Sequence, residues 1–177
     1  MQRIFLIGYM GAGKTTLGRA LAKVMGLQFI DLDIFIEGRQ HKSVSRIFAD
    51  SGEDGFRRLE RQALEEVSQY EDVVIALGGG TPCFFDNMEL VNAAGPSIWL
   101  KPSEDVLLRR LVTGKAKRPI LAGKSNDELL DFIRGQMELR APFYSRATFT
   151  LSGDNLETVS GIAETAQTIQ NLLQTNI

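Results

Sequence analysis

Residues 8–16, GYMGAGKTT, directly follow the apolar run RIFLI at residues 3–7. A tight turn alone requires fewer glycines than the three found here, and the stretch ends in a lysine and two threonines. Glycine has no Cβ atom, so successive backbone N–H groups can point inward around an anion without steric clash. The stretch therefore indicates that its backbone binds a ligand.

The spacing Gly8-x-x-x-x-Gly13-Lys14-Thr15 matches the phosphate-binding P-loop pattern. The flanking residues agree with this pattern. The run before it is apolar without alternation, as in a strand buried on both faces, and apolar residues recur at helical spacing after it. The alternative is a glycine-rich turn with an exposed lysine, which does not account for the full pattern in this context. We therefore predict that the chain binds a nucleoside triphosphate together with Mg²⁺.

The pattern gives separate roles to the residues that close the loop. A helix beginning near Lys14 would direct the positive end of its dipole at the phosphates. The Lys14 ammonium can follow the transferring phosphoryl group, and the Thr15 hydroxyl can bind Mg²⁺. The predicted nucleotide-binding residues are Gly11, Ala12, Gly13, Lys14, Thr15 and Thr16.

Predicted strands alternate with predicted helices along the chain. The strands are residues 3–8, 27–33, 72–77, 96–101 and 148–152. The helices are residues 14–26, 34–50, 54–70, 88–94, 103–112, 126–140 and 156–174, with a basic, aperiodic loop at residues 113–125. Such alternation is typical of a parallel sheet with helices on both faces. Since no repeat or linker divides the sequence, we predict one three-layer α/β/α domain over residues 1–177.

Charge and composition exclude several other classes of protein. The chain has 20 Lys and Arg against 22 Asp and Glu, so no overall basic field attracts nucleic acid. Cys83 is the only cysteine, which excludes an intrachain disulfide and a cysteine-rich zinc site. The apolar runs are far shorter than the roughly 20 residues that cross a bilayer, and the first residues do not form a signal peptide. We expect a cytoplasmic protein with no membrane or nucleic-acid partner.

Two common classes of P-loop protein lack support in this sequence. No Asn-Lys-x-Asp segment is present to read guanine, as switch GTPases require. The third predicted strand ends in ALGGGTP, without the carboxylate expected at the corresponding strand of a large ATPase. A short chain with a basic, irregular loop instead favours a small-metabolite kinase whose lid closes over its substrates.

Six segments carry a resemblance that extends beyond the P-loop. They are GYMGAGKTTLG, DLD, GEDGFRRLE, LGGGTP, KRPIL and RAPFYSRA, beginning at residues 8, 31, 52, 77, 117 and 140. Their order and spacing resemble those of the shikimate kinase family, from Ile4 to about Ala147. The resemblance implies a P-loop kinase fold of the nucleoside-monophosphate-kinase type, with a five-stranded parallel sheet and a mobile lid at about residues 112–125. It also implies ATP-dependent phosphorylation of the 3-hydroxyl of shikimate, a step toward chorismate and the aromatic amino acids.

The resemblance also assigns catalytic roles. Asp33 is implied as the base for the substrate hydroxyl, while Lys14 and the lid residue Arg118 are implied to neutralise charge on the transferring group and to bind ATP. Thr15 and Asp31 are implied on the magnesium side, Asp31 through a water molecule. The i, i+2 spacing of Asp31 and Asp33 predicts that both carboxylates lie on one side of a strand end. For each aspartate, a helix N-cap is the alternative.

The implied acceptor site consists of arginines and glycines. Arg57 and Arg140 match the carboxylate-binding arginines of the family, and a guanidinium can donate two parallel hydrogen bonds to a carboxylate. Arg58 is the local rival of Arg57, and Glu60 can hold Arg57 from three residues away. The remaining implied substrate-binding residues are Asp33, Gly78, Gly79 and Gly80, of which the glycines allow close approach of the backbone to a ligand.

The sequence departs from the family pattern near the adenine. Val112 stands where many members have an arginine before the lid threonine, and Arg109 and Arg110 lie slightly earlier. Arg110 is the candidate replacement, and the loop at residues 152–158 is expected to complete the adenine pocket. His41 and Cys83 receive no chemical role.

Two other functions stay open at this point. A gluconate kinase would share the P-loop and the lid, and its substrate also carries a carboxylate. A regulatory nucleotide-binding module would retain the P-loop but would not need the acceptor residues. We expect ATP and shikimate as the partners of a monomeric enzyme.

Overall fold

The computed structural model describes residues 2–114 and 123–175. The strands of this part of the chain are β1 (Arg3–Ile7), β2 (Gln28–Asp31), β3 (Val73–Ala76), β4 (Ser97–Leu100) and β5 (Phe149–Leu151). The helices are α1 (Lys14–Met25), α2 (Leu32–Gln40), α3 (Val44–Val67), α4 (Asn87–Ala94), α5 (Glu104–Thr113), α6 (Asn126–Tyr144) and α7 (Val159–Thr175), and a short 3₁₀ turn covers Thr81–Cys83. The strands form one parallel sheet in the order β2-β3-β1-β4-β5, which confirms the predicted five-stranded sheet.

Helices cover both faces of this sheet. One face packs against α1 and α7 through residues such as Leu21 and Ile169. The other face packs against α2 to α6, with Leu64 and Ile133 among the buried residues. Residues 4–7 of the central strand β1 are at most 1% exposed, because helices cover them from both sides. This explains why their sequence is apolar without alternation, and it confirms the three-layer architecture.

The strand order brings three segments together at the carboxyl end of the sheet. Ala76 of β3 pairs with Asp31 of β2 on one side and with Leu6 of β1 on the other, so the carboxyl ends of these strands are level. The P-loop follows β1, the glycine triplet follows β3, and the DLD segment closes β2. Ligands of parallel α/β sheets bind at this end.

Residues 32–67 form two helices, as predicted, but the break between them lies at residues 41–43 and not at residues 51–53. α2 ends before His41, which has a left-handed backbone conformation with φ of 51°. α3 begins after Ser43, whose hydroxyl accepts a hydrogen bond from the first turn. Gly52 then interrupts α3 with φ of 68°. The predicted break before residue 54 is thus a kink inside one helix. The break at His41 was missed because histidine gives no strong signal for a left-handed conformation.

α6 continues past its predicted end near Arg140. Pro142 lies inside its last turn, where it removes a single backbone donor. The helix nevertheless closes normally, because the Ser145 N–H donates to the Ala141 carbonyl at 2.8 Å. Tyr144 in this last turn is fully buried, so packing against the core holds the turn in place.

The predicted lid starts within a helix. α5 extends to Thr113, and Ser125 caps α6 through a reciprocal pair of hydrogen bonds with Glu128. The lid residue Arg118 lies outside the described residues. Within residues 2–114 and 123–175, no helix is both long and apolar enough to cross a membrane.

Candidate active site

A cavity of about 570 Å³ opens at the carboxyl end of the sheet. The predicted site residues that line it are Gly11, Gly13, Lys14, Thr15, Thr16, Asp31, Asp33, Gly78 and Gly79. The side chain of Ala12 is buried in the core, and this residue does not line the cavity. The predicted nucleotide residues and part of the predicted acceptor residues therefore border one shared space.

The conformation of the P-loop requires its glycines. Gly8, Gly11 and Gly13 have φ values of 141°, 80° and 100°, a range that residues with a Cβ rarely adopt. Gly13 immediately precedes α1, so the loop leads into the N-terminus of that helix. An anion within the loop would meet backbone N–H groups together with the positive end of the helix dipole.

Lys14 and Thr15 form the start of α1 and connect it to two other parts of the site. Lys14 Nζ donates to the Gly8 carbonyl at 2.7 Å and to the Tyr9 carbonyl at 3.0 Å, so the ammonium lies across the P-loop. Thr15 Oγ1 donates to Asp31 Oδ2 at 2.8 Å. This hydrogen bond places two oxygen ligands of the kind that Mg²⁺ prefers next to each other.

The two aspartates of the DLD segment do not lie on one strand end, and the prediction from their spacing is wrong in this respect. Asp31 is the last residue of β2 and also the N-cap of α2, because its Oδ1 accepts a hydrogen bond from the Ile34 N–H at 3.4 Å. Asp33 lies in the first turn of α2. Both residues still line the cavity, because α2 starts directly at the end of β2.

Asp33 lies in surroundings that disfavour its charged form. Burial is the main cause, and the negative charges of Asp31 and Glu60 act in the same direction. The ammonium of Lys14 opposes them, and together these effects raise the pKa of Asp33 to about 6. A carboxylate with such a pKa is still mostly ionised at neutral pH but binds a proton more readily than an ordinary aspartate.

The glycine triplet after β3 is packed against two guanidinium groups. A Cβ atom on Gly80 would lie only 2.6 Å from Arg57 Nη2, so no larger residue fits there without displacing the arginine. A Cβ atom on Gly79 would lie 3.4 Å from Arg140 Nη1. The structure therefore brings the two predicted carboxylate-binding arginines, from α3 and α6, to the same loop.

Arg57 is fixed by three neighbours and is only 12% exposed. Its Nη1 donates to Glu60 Oε2 at 2.9 Å, and its Nη2 donates to Glu53 Oε1 at 3.2 Å. The Phe84 ring lies 4.0 Å from the guanidinium carbon, at a distance typical of a cation–π contact. Its rival Arg58 is exposed on the same helix, as expected of a solvated side chain.

Arg140 and Tyr144 hold the other side of the triplet. Arg140 donates to Gln136 Oε1 at 2.8 Å, and its guanidinium lies 5.2 Å from the centre of the Tyr9 ring. The Tyr144 hydroxyl donates to the Gly79 carbonyl, a contact that no motif of the sequence predicts. Burial raises the pKa of Tyr144 well above its usual value, so it remains a neutral donor.

Arg110 connects the two walls of the nucleotide side. Its Nη1 donates to the Gly11 carbonyl at 3.2 Å, and its Nη2 donates to the Gly153 carbonyl at 2.8 Å. Leu156 and Glu157 of the predicted adenine loop line the cavity together with Arg110. Arg109, by contrast, is 60% exposed. Of the two arginines near the departure from the family pattern, only Arg110 lines the cavity.

Buried polar residues behind the acceptor side were also missed. Thr81 and Asn87 are fully buried, and the Thr81 hydroxyl donates to Glu60 Oε1 at 2.6 Å. The sequence gives little signal for this arrangement, because a threonine after glycines is equally typical of a turn. Cys83 is half-buried, and burial raises the pKa of its thiol, so it is not an activated nucleophile.

Comparisons with known proteins agree with this geometry. The sequence model of the shikimate kinase family matches residues 10–174. A shikimate kinase of Parabacteroides distasonis is 51% identical over 173 residues, which cover 98% of this chain and 100% of that protein. A crystal structure of shikimate kinase from Bacteroides thetaiotaomicron is 53% identical, covers 98% of both chains and has a TM-score of 0.94. A second solved structure, shikimate kinase from Acinetobacter baumannii in complex with shikimate, is 32% identical with a TM-score of 0.86, and the match covers 99% of this chain and 94% of that one.

The alternative as a gluconate kinase has much weaker support. A gluconokinase from Sinorhizobium meliloti covers 99% of this chain and 98% of its own, but it is 16% identical with a TM-score of 0.59. Likeness at this level shows a shared fold only. The match to one family over most of the sequence, and to solved members over nearly the whole chain, leads to one assignment. The chain belongs to the shikimate kinase family.

Proposed function

We propose that this chain transfers the γ-phosphoryl group of ATP to the 3-hydroxyl of shikimate, giving shikimate 3-phosphate and ADP. The observation that carries this proposal is the position of Asp33. Its carboxylate borders the same cavity as the P-loop residues Lys14 and Thr15, and it is packed against the first glycine of the triplet. A general base must reach the hydroxyl that attacks the phosphate donor, and the position of Asp33 beside both the P-loop cavity and the glycine triplet supports this role.

The P-loop is the proposed site of the triphosphate. Its backbone N–H groups and the N-terminus of α1 would hold the phosphates, and Lys14 would neutralise charge on the group in transfer. Arg110, Leu156 and Glu157 line the same cavity beside the P-loop, which supports this end as the nucleoside side. We include Arg118 as the lid residue that completes the charge neutralisation.

Thr15 and Asp31 fit a magnesium ion bound with ATP. They offer a hydroxyl and a carboxylate within hydrogen-bond distance of each other, and both line the cavity. Among the described residues, no group of three or more His, Cys, Asp or Glu is arranged to hold a metal ion. Mg²⁺ does not require such a group, since it is commonly bound by one or two protein ligands, substrate phosphates and water. When bound, it would neutralise phosphate charge.

The acceptor side suits a small molecule with a carboxylate and hydroxyls. Arg57 and Arg140 approach the glycine triplet from two helices, and a pair of guanidinium groups can bind one carboxylate. Backbone N–H groups of the triplet could donate hydrogen bonds to hydroxyl oxygens. In this arrangement the carboxylate anchors the ring, and Asp33 orients the hydroxyl that is phosphorylated.

The proton balance of the transfer follows from the pKa of Asp33. The substrate hydroxyl oxygen forms a bond to the γ-phosphorus while the bond from that phosphorus to the leaving oxygen of ADP breaks. The hydroxyl proton passes to the ionised Asp33 carboxylate. With a pKa of about 6, Asp33 accepts this proton more readily than an exposed aspartate and releases it to water at neutral pH.

We include one domain over residues 1–177 with a lid at about 112–125, a monomeric state and a cytoplasmic location. The single five-stranded sheet and the near balance of 20 basic against 22 acidic residues support a one-domain enzyme that acts on a small molecule.

A coupled assay of ADP release tests the function. Shikimate, quinate, gluconate and nucleoside monophosphates are supplied as acceptors with Mg²⁺ and ATP. We expect turnover with shikimate, and turnover of gluconate without turnover of shikimate would contradict the proposal. ATP binding without turnover of any acceptor would instead favour a regulatory nucleotide-binding module.

A further inference from the structure

A buried chain of hydrogen bonds leads from the core to Arg57. Thr81 is fully buried in the short turn that follows the glycine triplet, and its hydroxyl donates to Glu60 Oε1 at 2.6 Å. Glu60 is 1% exposed, and its other oxygen, Oε2, accepts from Arg57 Nη1 at 2.9 Å. The two carboxylate oxygens of Glu60 are therefore divided between a hydroxyl and a guanidinium.

The turn that carries Thr81 is itself held from behind. The side-chain amide of Asn87 donates to the Thr81 carbonyl at 2.7 Å, and the Thr81 N–H donates to the Gly78 carbonyl at 3.1 Å. Asn87 is fully buried, and its own side-chain oxygen accepts from Arg61 Nη1 at 2.9 Å. Because both sides of Thr81 are fixed in this way, its hydroxyl has a defined position relative to Glu60.

The division of the Glu60 oxygens matters for Arg57. An arginine and a carboxylate that are free to rotate tend to pair through two parallel hydrogen bonds. Here Glu60 makes only one, which leaves Arg57 Nη2 and Nε outside this pair. Nη2 meets Glu53, whose side chain is 58% exposed, and Nε is buried without a hydrogen-bond partner among the described residues. Because Nε is enclosed, Nη2, which is held by a largely exposed glutamate, is the donor that Arg57 keeps for a substrate carboxylate.

We propose that Thr81 is a positioning residue that restricts Glu60 to a single hydrogen bond with Arg57 and so keeps Arg57 available for the acceptor carboxylate. Without the hydroxyl, Glu60 Oε1 would be buried next to Arg57 with no donor of its own. It would then turn to Arg57 and compete with the substrate. This inference rests on the proposed function, because it requires a carboxylate-bearing acceptor at Arg57.

The Thr81→Val variant removes the hydroxyl and keeps the shape of the side chain. We expect the KM for shikimate to rise about tenfold or more, the KM for ATP to stay within about twofold, and kcat to change little. The methyl ester of shikimate gives the sharper measurement, because it lacks the negative charge that Arg57 binds. The KM for the ester should not rise in Thr81→Val. The ratio of the KM for the ester to the KM for shikimate should therefore fall by about the same factor.

Three further variants separate positioning from folding. Thr81→Ser keeps the hydroxyl and should restore the wild-type KM for shikimate. Thr81→Cys keeps a side chain of similar size with a weak donor and should give an intermediate KM, even if Thr81→Val does not fold. Ser97→Ala is the matched control, since Ser97 is fully buried and its hydroxyl donates to Asn92 Oδ1 at 2.6 Å. Ser97 is the first residue of β4, so it lies at the end of the sheet away from the cavity. This variant should leave the ratio unchanged.

A double-mutant cycle shows whether Thr81 acts through Glu60. In a Glu60→Gln background, Thr81→Val should add little further change in the KM for shikimate. Equal increases for shikimate and its ester, or effects of the two substitutions that simply add, would overturn the inference and leave Thr81 as a support of the fold. A wild-type enzyme without activity on shikimate would reject the proposed function instead, so the two failures are distinguishable.

Discussion

Thr15 Oγ1 lies 2.8 Å from Asp31 Oδ2, and this hydrogen bond joins the nucleotide side of the cavity to the strand that leads to the proposed base. The first turn of α1 and the end of β2 are thereby held together through groups that can both serve a magnesium ion. Since Asp33 follows Asp31 by two residues, any change at this hydrogen bond acts close to both substrates. Substitutions on the nucleotide side and on the acceptor side should therefore have separable kinetic effects.

Asp33→Asn should strongly reduce turnover while ATP binding is retained. The amide cannot accept the hydroxyl proton as the carboxylate does, so we expect kcat to fall by about 10²-fold or more. The Kd for ATP should change by less than about threefold, measured by calorimetry. Asp131→Asn is the control, because the side chain of Asp131 is 82% exposed and has no proposed role at the cavity. Loss of ATP binding in Asp33→Asn would show that the two sites are not divided in this way.

The pKa of Asp33 sets a pH dependence of activity. The base is active when ionised, so kcat/KM for shikimate should decline about tenfold per pH unit below a pH of about 6. Initial rates with subsaturating shikimate, measured between pH 4.5 and 8, give this profile. A profile that stays level down to pH 5 would exclude Asp33, with this pKa, as the base.

The same raised pKa predicts an effect on stability of opposite sign. The folded-state pKa lies above the unfolded value, so the contribution of Asp33 is most favourable when the group is protonated and is lost as pH rises from about 4 through about 6. Above this window, Asp33→Asn should raise the free energy of unfolding, by at most about 3 kcal/mol. Thermal unfolding of both proteins at pH 7.5 and pH 4 provides the measurement. The difference in Tm should shrink at the lower pH.

Asp31→Asn should weaken the response to Mg²⁺ more than it affects the fold. Asparagine is as good an N-cap as aspartate, so α2 keeps its start, while the negative charge beside Thr15 is lost. We expect the Mg²⁺ concentration for half-maximal rate to rise by about tenfold or more. A titration of Mg²⁺ at fixed ATP measures it, and an unchanged midpoint would remove Asp31 from the magnesium side.

Gly78→Ala should impair the acceptor side by steric crowding alone. The added Cβ would lie 2.9 Å from Asp33 Oδ1, 3.0 Å from Thr81 Oγ1 and 3.2 Å from a carboxylate oxygen of Glu60, all closer than ordinary contact. Displacement of these groups should lower kcat/KM for shikimate by about 10²-fold. In the control Gly135→Ala, the Cβ meets nothing within 4 Å, and the helix should gain about 0.5–1 kcal/mol with unchanged activity.

Arg57→Lys should raise the KM for shikimate by about tenfold or more, because lysine cannot give parallel hydrogen bonds to a carboxylate. Arg58→Lys is the matched control on the same helix, and it should leave the kinetics unchanged, since Arg58 is exposed. Steady-state kinetics of both variants with shikimate and ATP compare them. Similar changes in both would contradict the assignment of the carboxylate to Arg57.

The sequence was sufficient for the sheet, because five apolar segments and the P-loop pattern are local signals of strand and turn. It was less informative wherever one backbone angle decides the outcome. His41 ends a helix with a left-handed conformation, and Pro142 stays within the last turn of α6. The second depends on the burial of Tyr144, a tertiary contact that has no local signature in the sequence.

The candidate site shows the same division. The motifs pointed to Asp33 and Arg57, and the structure brings Asp33 to the first glycine of the triplet and Arg57 to the last. Their roles remain predictions. The partners that tune them, such as Glu60 and Thr81, come from separate segments and meet only after folding. No spacing rule along the chain could have joined a threonine in a turn to a helical glutamate 21 residues earlier.

The crowding of acidic groups around Asp33 has a consequence for how this chain would respond to selection. Variants chosen only for resistance to heat would be driven to neutralise this position, since its charge is a burden to the folded state at neutral pH. Screens for thermal stability that do not also measure turnover would therefore enrich inactive variants. Substitutions at residue 33 should be sought first among the most stable of them.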